Sequence, residues 1–145
     1  MNKFITALLF FIALGFPAWG FAATLEIGNI RSQVGYIAVS IFSEESQAAF
    51  PDKGEGAAQR YYIPIQDKGS VLIHLKSLPV GRYAVTVMHD EDGDGQLKKG
   101  PMGIPREGFG FSNNPRVYFG APDFAKAVTP IRADSVVKIT MKYLL

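Results

Sequence analysis

Hydrophobic and polar residues alternate in short runs after residue 23, and these runs predict β-strands. In "VGYIAVSIF", the branched residues Ile37, Val39 and Ile41 alternate with Tyr36, Ala38, Ser40 and Phe42, a period of two that turns one side of a strand toward a core. The inward positions of the other runs are Leu25 and Ile27; Tyr61, Ile63 and Ile65; Val71, Ile73 and Leu75; Tyr83, Val85 and Val87; and Val137, Ile139 and Met141. Glycine, proline and aspartate separate the runs, which is typical of an antiparallel β-sandwich.

Two prolines refine this prediction. Pro64 lacks the N–H that a central strand donates, so "QRYYIPIQ" is predicted to be an edge strand. In "LPVGRY", Pro79 and Gly81 predict a turn before the strand that begins near Tyr83. The Tyr83 hydroxyl would then reach main chain upstream, as in the tyrosine corner of Greek-key sandwiches. A plain core tyrosine is the alternative.

Two segments lack the strand pattern. "SEESQAAFPDKGEGAA" predicts one helical turn before Pro51 and a loop after it. Residues 100–134 are rich in glycine, proline and aromatic residues, and predict a long ordered loop, a kind of segment that is usually functional. Within it, "APDFAKAV" predicts a short helix with Pro122 in its first turn. We therefore predict an all-β fold, a single antiparallel β-sandwich of about seven strands with Greek-key connections.

The first 22 residues have the pattern of a secretory signal peptide. A short basic start with Lys3 precedes the apolar run "FITALLFFIALGF", and Pro17 and small residues follow it. We predict cleavage after Ala22, with Ala23 as the near alternative, and a β-sandwich domain over residues 23–145. An uncleaved membrane anchor is the other interpretation, although the apolar run is short for a bilayer. The predicted location is therefore periplasmic or extracellular.

Composition narrows the class of protein. The 145 residues suit one domain, and 48% apolar residues suffice for a core. Without Lys3 the mature part has 14 Lys and Arg against 13 Asp and Glu, which gives no basic field for nucleic acid. There is no cysteine, so neither a disulfide nor a lipid on cysteine is expected. We expect no membrane partner after cleavage, and a protein or a glycan as the partner.

The segment "HDEDGDGQLKKG", residues 89–100, carries the candidate chemistry. Asp90, Asp92 and Asp94 alternate before Gly95, as in the first half of an EF-type calcium loop, and Gln96 would supply a carbonyl. The twelfth position is Pro101, which cannot ligate through its side chain. The closing ligand would be Glu107, Asp123 or a carbonyl, and Ca²⁺ binding would be weak. A hairpin turn is the alternative, because Asp-Gly favours such turns and Lys98 and Lys99 offset the charge.

Other candidate residues surround this loop. His89 precedes it and would pair with a carboxylate, although a structural histidine is the commoner case. Phe109 and Phe111, with Asn113 and Asn114, would form a ligand-binding surface in the "GFGFSNN" segment, to which Tyr118, Phe119 and Phe124 would add. A small core beneath the long loop is the other interpretation of these aromatic residues, and the one we favour. No G-x-S-x-G motif is present.

The segments "LPVGRYAVTVMHDEDGDGQL" and "GIPREGFGFSNNPRVYFGAPDFAKAV" resemble the secreted bacterial family called domain of unknown function 2141. The run Gly108–Asn114 is the most specific part of this resemblance. It implies a sandwich of the transthyretin-like, carboxypeptidase-regulatory-like or immunoglobulin-like kind, a location outside the cytoplasm and no assigned activity. In that family the second and third acidic positions of the loop are often Asn, whereas Asp92 and Asp94 stand here.

These observations lead to three hypotheses about function. The first is a secreted, non-enzymatic binding or structural module that Ca²⁺ stabilises through the acidic loop. The second is an enzyme that acts on a cell-envelope or glycan substrate through Asp or Glu residues beside the aromatic loop. The third is a protein-interaction module that uses its edge strands. Convergence of His89, Asp90 and Glu107 in a concave pocket would favour the enzyme.

Overall fold

Eight strands form two sheets in residues 22–145, the residues that the computed structural model describes. The strands are β1 (Thr24–Ile30), β2 (Tyr36–Phe42), β3 (Gln59–Pro64), β4 (Gly69–His74), β5 (Gly81–Asp90), β6 (Gly108–Phe111), β7 (Thr129–Ile131) and β8 (Val136–Thr140). One helix, α1 (Phe124–Ala127), and 3₁₀ turns at Gln47–Ala49, Gly54–Gly56 and Pro101–Gly103 accompany them. No helix of this part is long and apolar enough to cross a membrane. The predicted signal peptide lies outside the described residues, except for Ala22.

The two sheets form a sandwich, as the alternating pattern predicts. The smaller sheet has the order β4-β1-β8, and the larger has the order β3-β2-β5-β6, with β7 paired to the start of β5. All strand pairs are antiparallel except β1 with β8, in which Thr24 lies opposite Val136. This parallel pair arises because the chain crosses from β7 in the larger sheet to β8 in the smaller one. The structure has eight strands, against about seven predicted.

The main core lies between the sheets. Ile37, Val39 and Ile41 of β2 face Leu25 and Ile27 of β1 across it, and all five are at most 1% exposed. Every inward position predicted from the alternation lies in this core or packs against it. Period-two burial of branched and aromatic side chains is therefore the main reason why these runs form strands.

Both predictions from proline are confirmed. β3 is an edge strand of the larger sheet, with Pro64 opposite Tyr36. The Tyr83 hydroxyl donates a hydrogen bond to the Pro79 carbonyl over 3.0 Å, which makes the tyrosine corner. The predicted short helix is also present, but it begins at Phe124, so that Pro122 precedes it rather than occupying its first turn.

The segment 100–134 is less of a loop than the sequence predicts, because it contains β6, α1 and β7. In β6 the glycines alternate with Phe109 and Phe111, whose rings lie on the outer face of the larger sheet. There they form a second apolar cluster with Ala84 and Ala127. Phe50, Leu97, Val117 and Phe124 pack against this cluster from the surrounding loops. The interpretation as a small core beneath the long segment is therefore confirmed for Phe109, Phe111 and Phe124 and wrong for Tyr118 and Phe119, which are exposed.

Candidate functional site

The acidic loop follows β5, whose last residue is Asp90, and returns to β6, which Glu107 precedes. Both carboxylates are buried, with 0% and 3% of the residue exposed. Asp90 is therefore placed by the strand itself, and Glu107 by the pairing of β6 with β5, in which Gly108 lies opposite His89. This pairing brings together two acidic residues that are far apart in the sequence.

Asp90 holds the first part of the loop. One carboxylate oxygen, Oδ1, accepts hydrogen bonds from the N–H groups of Gly93 (2.8 Å) and Asp94 (3.2 Å). The other, Oδ2, accepts from the N–H of Gly95 (2.8 Å) and from the hydroxyl of Tyr62 (2.6 Å). An ionised carboxylate has about four lone-pair sites, so these four donors use its full capacity. The backbone thus wraps around Asp90.

Glu107 holds the two ends of the loop. Its Oε1 accepts from the N–H of Glu91 over 2.9 Å, and its Oε2 accepts from the N–H of Lys98 over 2.8 Å. Each oxygen keeps a further lone pair in this arrangement. Asp90 and Glu107 together satisfy the N–H groups that a chain reversal of this kind leaves without strand partners.

Three carboxylates meet at the base of the loop. Ligand oxygens of Asp90, Asp92 and Glu107 all lie within 4.8 Å of one another, close enough to hold one metal ion. Asp94 is not in this group, because its Oδ1 accepts instead from the N–H of Gln96 over 2.8 Å. Of the four predicted carboxylate ligands, the structure thus brings together three.

Lys98 is the cation that contacts this group. Its Nζ donates to Asp92 Oδ2 at 2.5 Å, in a pair that is about half exposed. The hydrogen bond from Lys98 lowers the pKa of Asp92, and the same bond raises the pKa of Lys98. Solvent screens an exposed pair of this kind, so its contribution to stability is small. The side chain nevertheless stands where a metal ion bound to Asp92 would have to approach.

Tyr62 joins the loop to the outer face of the larger sheet. Its hydroxyl donates to Asp90, and this hydrogen bond raises the pKa of Tyr62 to about 12. Its ring stacks on Tyr36, with centroids 4.5 Å apart and planes at 15°. Both rings keep substantial exposure, 48% for Tyr62 and 37% for Tyr36. No sequence motif indicates this pair, and the only signal for it is the outward position of both residues in their strands.

His89 is fully buried and has a structural role. Its Nε2–H donates to the Val34 carbonyl over 2.8 Å, since a carbonyl can only accept. In the neutral ring, Nδ1 then accepts from the Tyr143 hydroxyl over 2.8 Å. Glu91 is the nearest carboxylate, 4.0 Å from Nδ1. The predicted carboxylate partner is therefore replaced by a phenol and a carbonyl.

Arg31 is a second residue that the sequence analysis missed. Its guanidinium donates through two nitrogens to both oxygens of Glu91, the second residue of the loop, and this hydrogen bonding holds the pKa of Glu91 below its ordinary value. It also donates to the carbonyls of Arg106 and Leu145 and lies over the Tyr143 ring, 4.5 Å from its centroid. Arg31 thus ties the loop to the segment that precedes β6 and to the last residues of the chain.

The predicted ligand-binding residues of the "GFGFSNN" segment pack against or hydrogen-bond to other parts of the fold. Phe109 and Phe111 are 6% and 7% exposed, in the second cluster. Asn113, at φ +63°, donates to the Val128 carbonyl over 2.7 Å. Asn114, at φ +46°, donates to the Lys138 carbonyl over 3.0 Å, and its Oδ1 accepts from the N–H of Thr140. Asparagine tolerates this left-handed backbone, and here both side chains fasten the turn to its neighbours.

His89, Asp90 and Glu107 lie at the same end of β5, but they do not line either of two surface grooves found in residues 22–145. One groove is bordered by residues 49 and 52–56, Arg60 and Gly95. The other is bordered by residues 43–45 and 80–83, next to the tyrosine corner. Neither of these two grooves is therefore the concave pocket around the three residues that would favour an enzyme.

Comparison with known proteins gives one match. The family model described as "Uncharacterized protein conserved in bacteria (DUF2141)" matches residues 25–140, which is most of the chain and includes the acidic loop. No curated protein and no solved structure matches. The likeness to transthyretin-like sandwiches therefore stays a prediction.

Proposed function

The chain belongs to the bacterial family DUF2141, and from the geometry of its acidic loop we propose that it is a secreted, non-enzymatic binding module that Ca²⁺ stabilises. The meeting of Asp90, Asp92 and Glu107 within 4.8 Å carries this proposal. Like charges so close, two of them buried, oppose one another, and a divalent cation offsets that repulsion. Calcium prefers a set of carboxylate and carbonyl oxygens such as this one.

The shape of the loop supports calcium in particular. Asp90, Asp92 and Gly95 occupy the first, third and sixth positions of an EF-type loop, and Gly95 has the φ of +74° that suits glycine at the sharp turn. Glu107 stands in for the glutamate that Pro101 replaces at the twelfth position. It has two lone pairs that no main-chain N–H uses, so it can accept a cation without losing its hydrogen bonds.

Two groups compete with the metal, so binding is weak. Lys98 has to leave Asp92, and one of the four donors to Asp90 has to give way. The Tyr62 hydroxyl is the donor that moves at least cost, because its residue is half exposed and the other three are main-chain N–H groups. We expect a dissociation constant in the range of extracellular modules, about 10⁻⁴ to 10⁻³ M. Such a site would be useful outside the cytoplasm, in the periplasm or beyond, which is where the predicted signal peptide would direct the chain.

Catalysis by these carboxylates has less support. Asp90 and Glu107 each accept at least two main-chain N–H bonds, which fix both carboxylates in place as parts of the loop. They also lie outside the two surface grooves. A binding role requires only that the loop keep its shape, and the hydrogen bonds serve that purpose.

Thermal unfolding in the presence of CaCl₂, with MgCl₂ as the control, tests the proposal. At a calcium concentration about ten times Kd, binding to the folded state adds about 1.4 kcal/mol to the free energy of unfolding. At about 2.1 cal/mol/K per residue, this raises Tm of the domain by about 5 °C. An unchanged Tm up to millimolar calcium would overturn the proposal and leave the loop as a hairpin turn.

Two matched pairs of variants sharpen the test. Lys98→Gln should increase the calcium-induced rise in Tm, whereas Lys99→Gln, with the same loss of charge one residue away, should change it little. Asp92→Asn should abolish the rise, and the exposed Asp67→Asn should leave it intact. Equal responses within both pairs would mean that the cation acts through general charge screening and not at this site.

A further inference from the structure

The outer face of the larger sheet carries an open groove, which we call the sheet groove. Residues 49 and 52–56, Arg60 of β3 and Gly95 of the acidic loop border it. Gly54 approaches the floor so closely that a Cβ there would lie 3.1 Å from Ser40 Oγ and 3.4 Å from Arg60 Nε. The groove has a volume of about 560 Å³, in the range of small-molecule sites.

The stacked tyrosines do not border the sheet groove themselves, but Tyr62 is a neighbour of two residues that do, Arg60 and Gly95. Tyr62 follows Arg60 on the same face of β3, since Arg60 lies opposite Ser40 and Tyr62 opposite Ala38. Its hydroxyl and the N–H of Gly95 donate to the same oxygen of Asp90, at 2.6 and 2.8 Å, so Tyr62 adjoins Gly95. Tyr36 lies opposite Pro64 and stacks on the side of Tyr62 away from Arg60. The other side of the Tyr62 ring is thus turned toward the groove.

The charges that border the sheet groove cancel. Lys53 and Arg60 supply two positive charges, and Asp52 and Glu55 supply two negative ones. Within the described residues, no carboxylate lies within 4.0 Å of the Arg60 guanidinium, which keeps five N–H donors for a ligand. For a ligand with charges of one sign, the attraction to two of these side chains is offset by repulsion from the other two. Hydroxyl groups, which both donate and accept hydrogen bonds, can instead bond to all four side chains.

We propose that the sheet groove binds a neutral carbohydrate chain, with the apolar face of a sugar ring on Tyr62 and sugar hydroxyls on Arg60. The stack on Tyr36 holds the Tyr62 ring whether or not its hydroxyl bonds Asp90, so little conformational freedom is lost on binding. This inference rests on the proposed function, because the acidic loop borders the groove through Gly95 and its calcium-bound state fixes that border.

An extended peptide fits this surface less well. A peptide would add to the free edge of β3, where Pro64 removes a main-chain donor. The sheet groove lies instead over the face of the sheet, where side chains rather than main-chain groups point outward. An acidic polysaccharide is disfavoured by Asp94, whose loop adjoins the groove.

Isothermal titration calorimetry in CaCl₂ tests the inference with cellohexaose, laminarihexaose, maltohexaose and chitohexaose. At least one should bind with a Kd between micromolar and millimolar, and Arg60→Gln and Tyr62→Ala should each weaken binding about tenfold or more. Arg116→Gln and Tyr118→Ala, the same residue types exposed elsewhere, should leave it unchanged. Arg60 is exposed, so its variant tests the groove even if Tyr62→Ala fails to fold.

The outcomes separate this inference from the calcium proposal. Tyr62→Phe keeps the ring and loses the bond to Asp90, so it should retain the carbohydrate while its response to calcium changes. If calcium raises Tm but none of the four carbohydrate chains binds, or if only polygalacturonate or a peptide binds, the groove inference is overturned and the calcium proposal is not. If a chain binds through Arg60 and Tyr62 with EDTA present as tightly as with calcium, the groove stands and its dependence on the loop fails.

Discussion

Replacing Glu107 by Gln removes the anchor of the acidic loop with little change of shape. In the wild type both carboxylate oxygens accept main-chain N–H groups, from Glu91 and Lys98. An amide in the same position has one oxygen and one NH₂ group, so one of the two N–H groups would then face a donor. Because the residue is only 3% exposed, water cannot easily take the place of the lost bond.

The magnitude follows from these two bonds. A hydrogen bond to a charged acceptor contributes about 1.5–3 kcal/mol, and an unsatisfied buried donor costs a similar amount. Loss of one negative charge beside Asp90 and Asp92 acts in the opposite direction, since it relieves their repulsion. We expect a net loss of about 2 kcal/mol in the free energy of unfolding, which at about 2.1 cal/mol/K per residue lowers Tm by about 8 °C.

Urea and thermal unfolding in EDTA measure this loss without calcium. Glu55→Gln, at an exposed position, is the control, and its free energy of unfolding should lie within about 0.5 kcal/mol of the wild type. In CaCl₂ the difference between wild type and Glu107→Gln should widen, because the variant also loses a metal ligand. A Glu107→Gln protein as stable as the control in EDTA would refute the argument that these two bonds hold the loop.

Two further predictions concern Tyr62 and Gly108. In a spectrophotometric titration, one tyrosine of the wild type should ionise near pH 12, and this step should be missing in Tyr62→Phe. The bond from Tyr62 to Asp90 stabilises the fold fully below pH about 10, and this stabilisation is lost as the pH rises through about 12. A Tyr62→Phe titration identical to that of the wild type would contradict this prediction. A Cβ at Gly108 would lie 2.3 Å from Tyr143 Cε1, so Gly108→Ala should lower the free energy of unfolding by about 1–3 kcal/mol. Gly28→Ala is the control and should not lower it in this way, because a Cβ at Gly28 meets no atom within 4 Å. Equal unfolding midpoints in urea for the two variants would contradict the close approach at Gly108.

The sequence predicts the sandwich well because its core depends on a local pattern. The alternation of Ile37, Val39 and Ile41 predicts one buried side of β2, whatever element covers that side. β6 was predicted as loop for the opposite reason. Gly108 and Gly110 have no strand preference of their own, and they are required because Tyr143 and Ile139 pack directly against them. That contact comes from the end of the chain, which a local pattern cannot show.

The candidate site was predictable in part. Spacing alone identifies Asp90 and Asp92, and the missing twelfth ligand directs attention to Glu107 as one of several candidates. Spacing also implicates Asp94, which in the structure caps the N–H of Gln96. The partners of His89 and the role of Tyr62 depend on which strands are neighbours in the sheets, and the sequence contains no local signal for either.

The position of β1 has a consequence for the order of events in folding. It is the first strand of the chain and the centre of its sheet, yet one neighbour is β4 and the other is β8, at the far end of the chain. Both pairings close long loops, which favours slow folding. A chain emerging in order therefore leaves one edge of β1 unpaired until the last strand arrives. If the chain is exported in an unfolded state, this delay keeps it unfolded during transport. Deletion of β8 should leave β1 as an unpaired edge strand that is prone to aggregation.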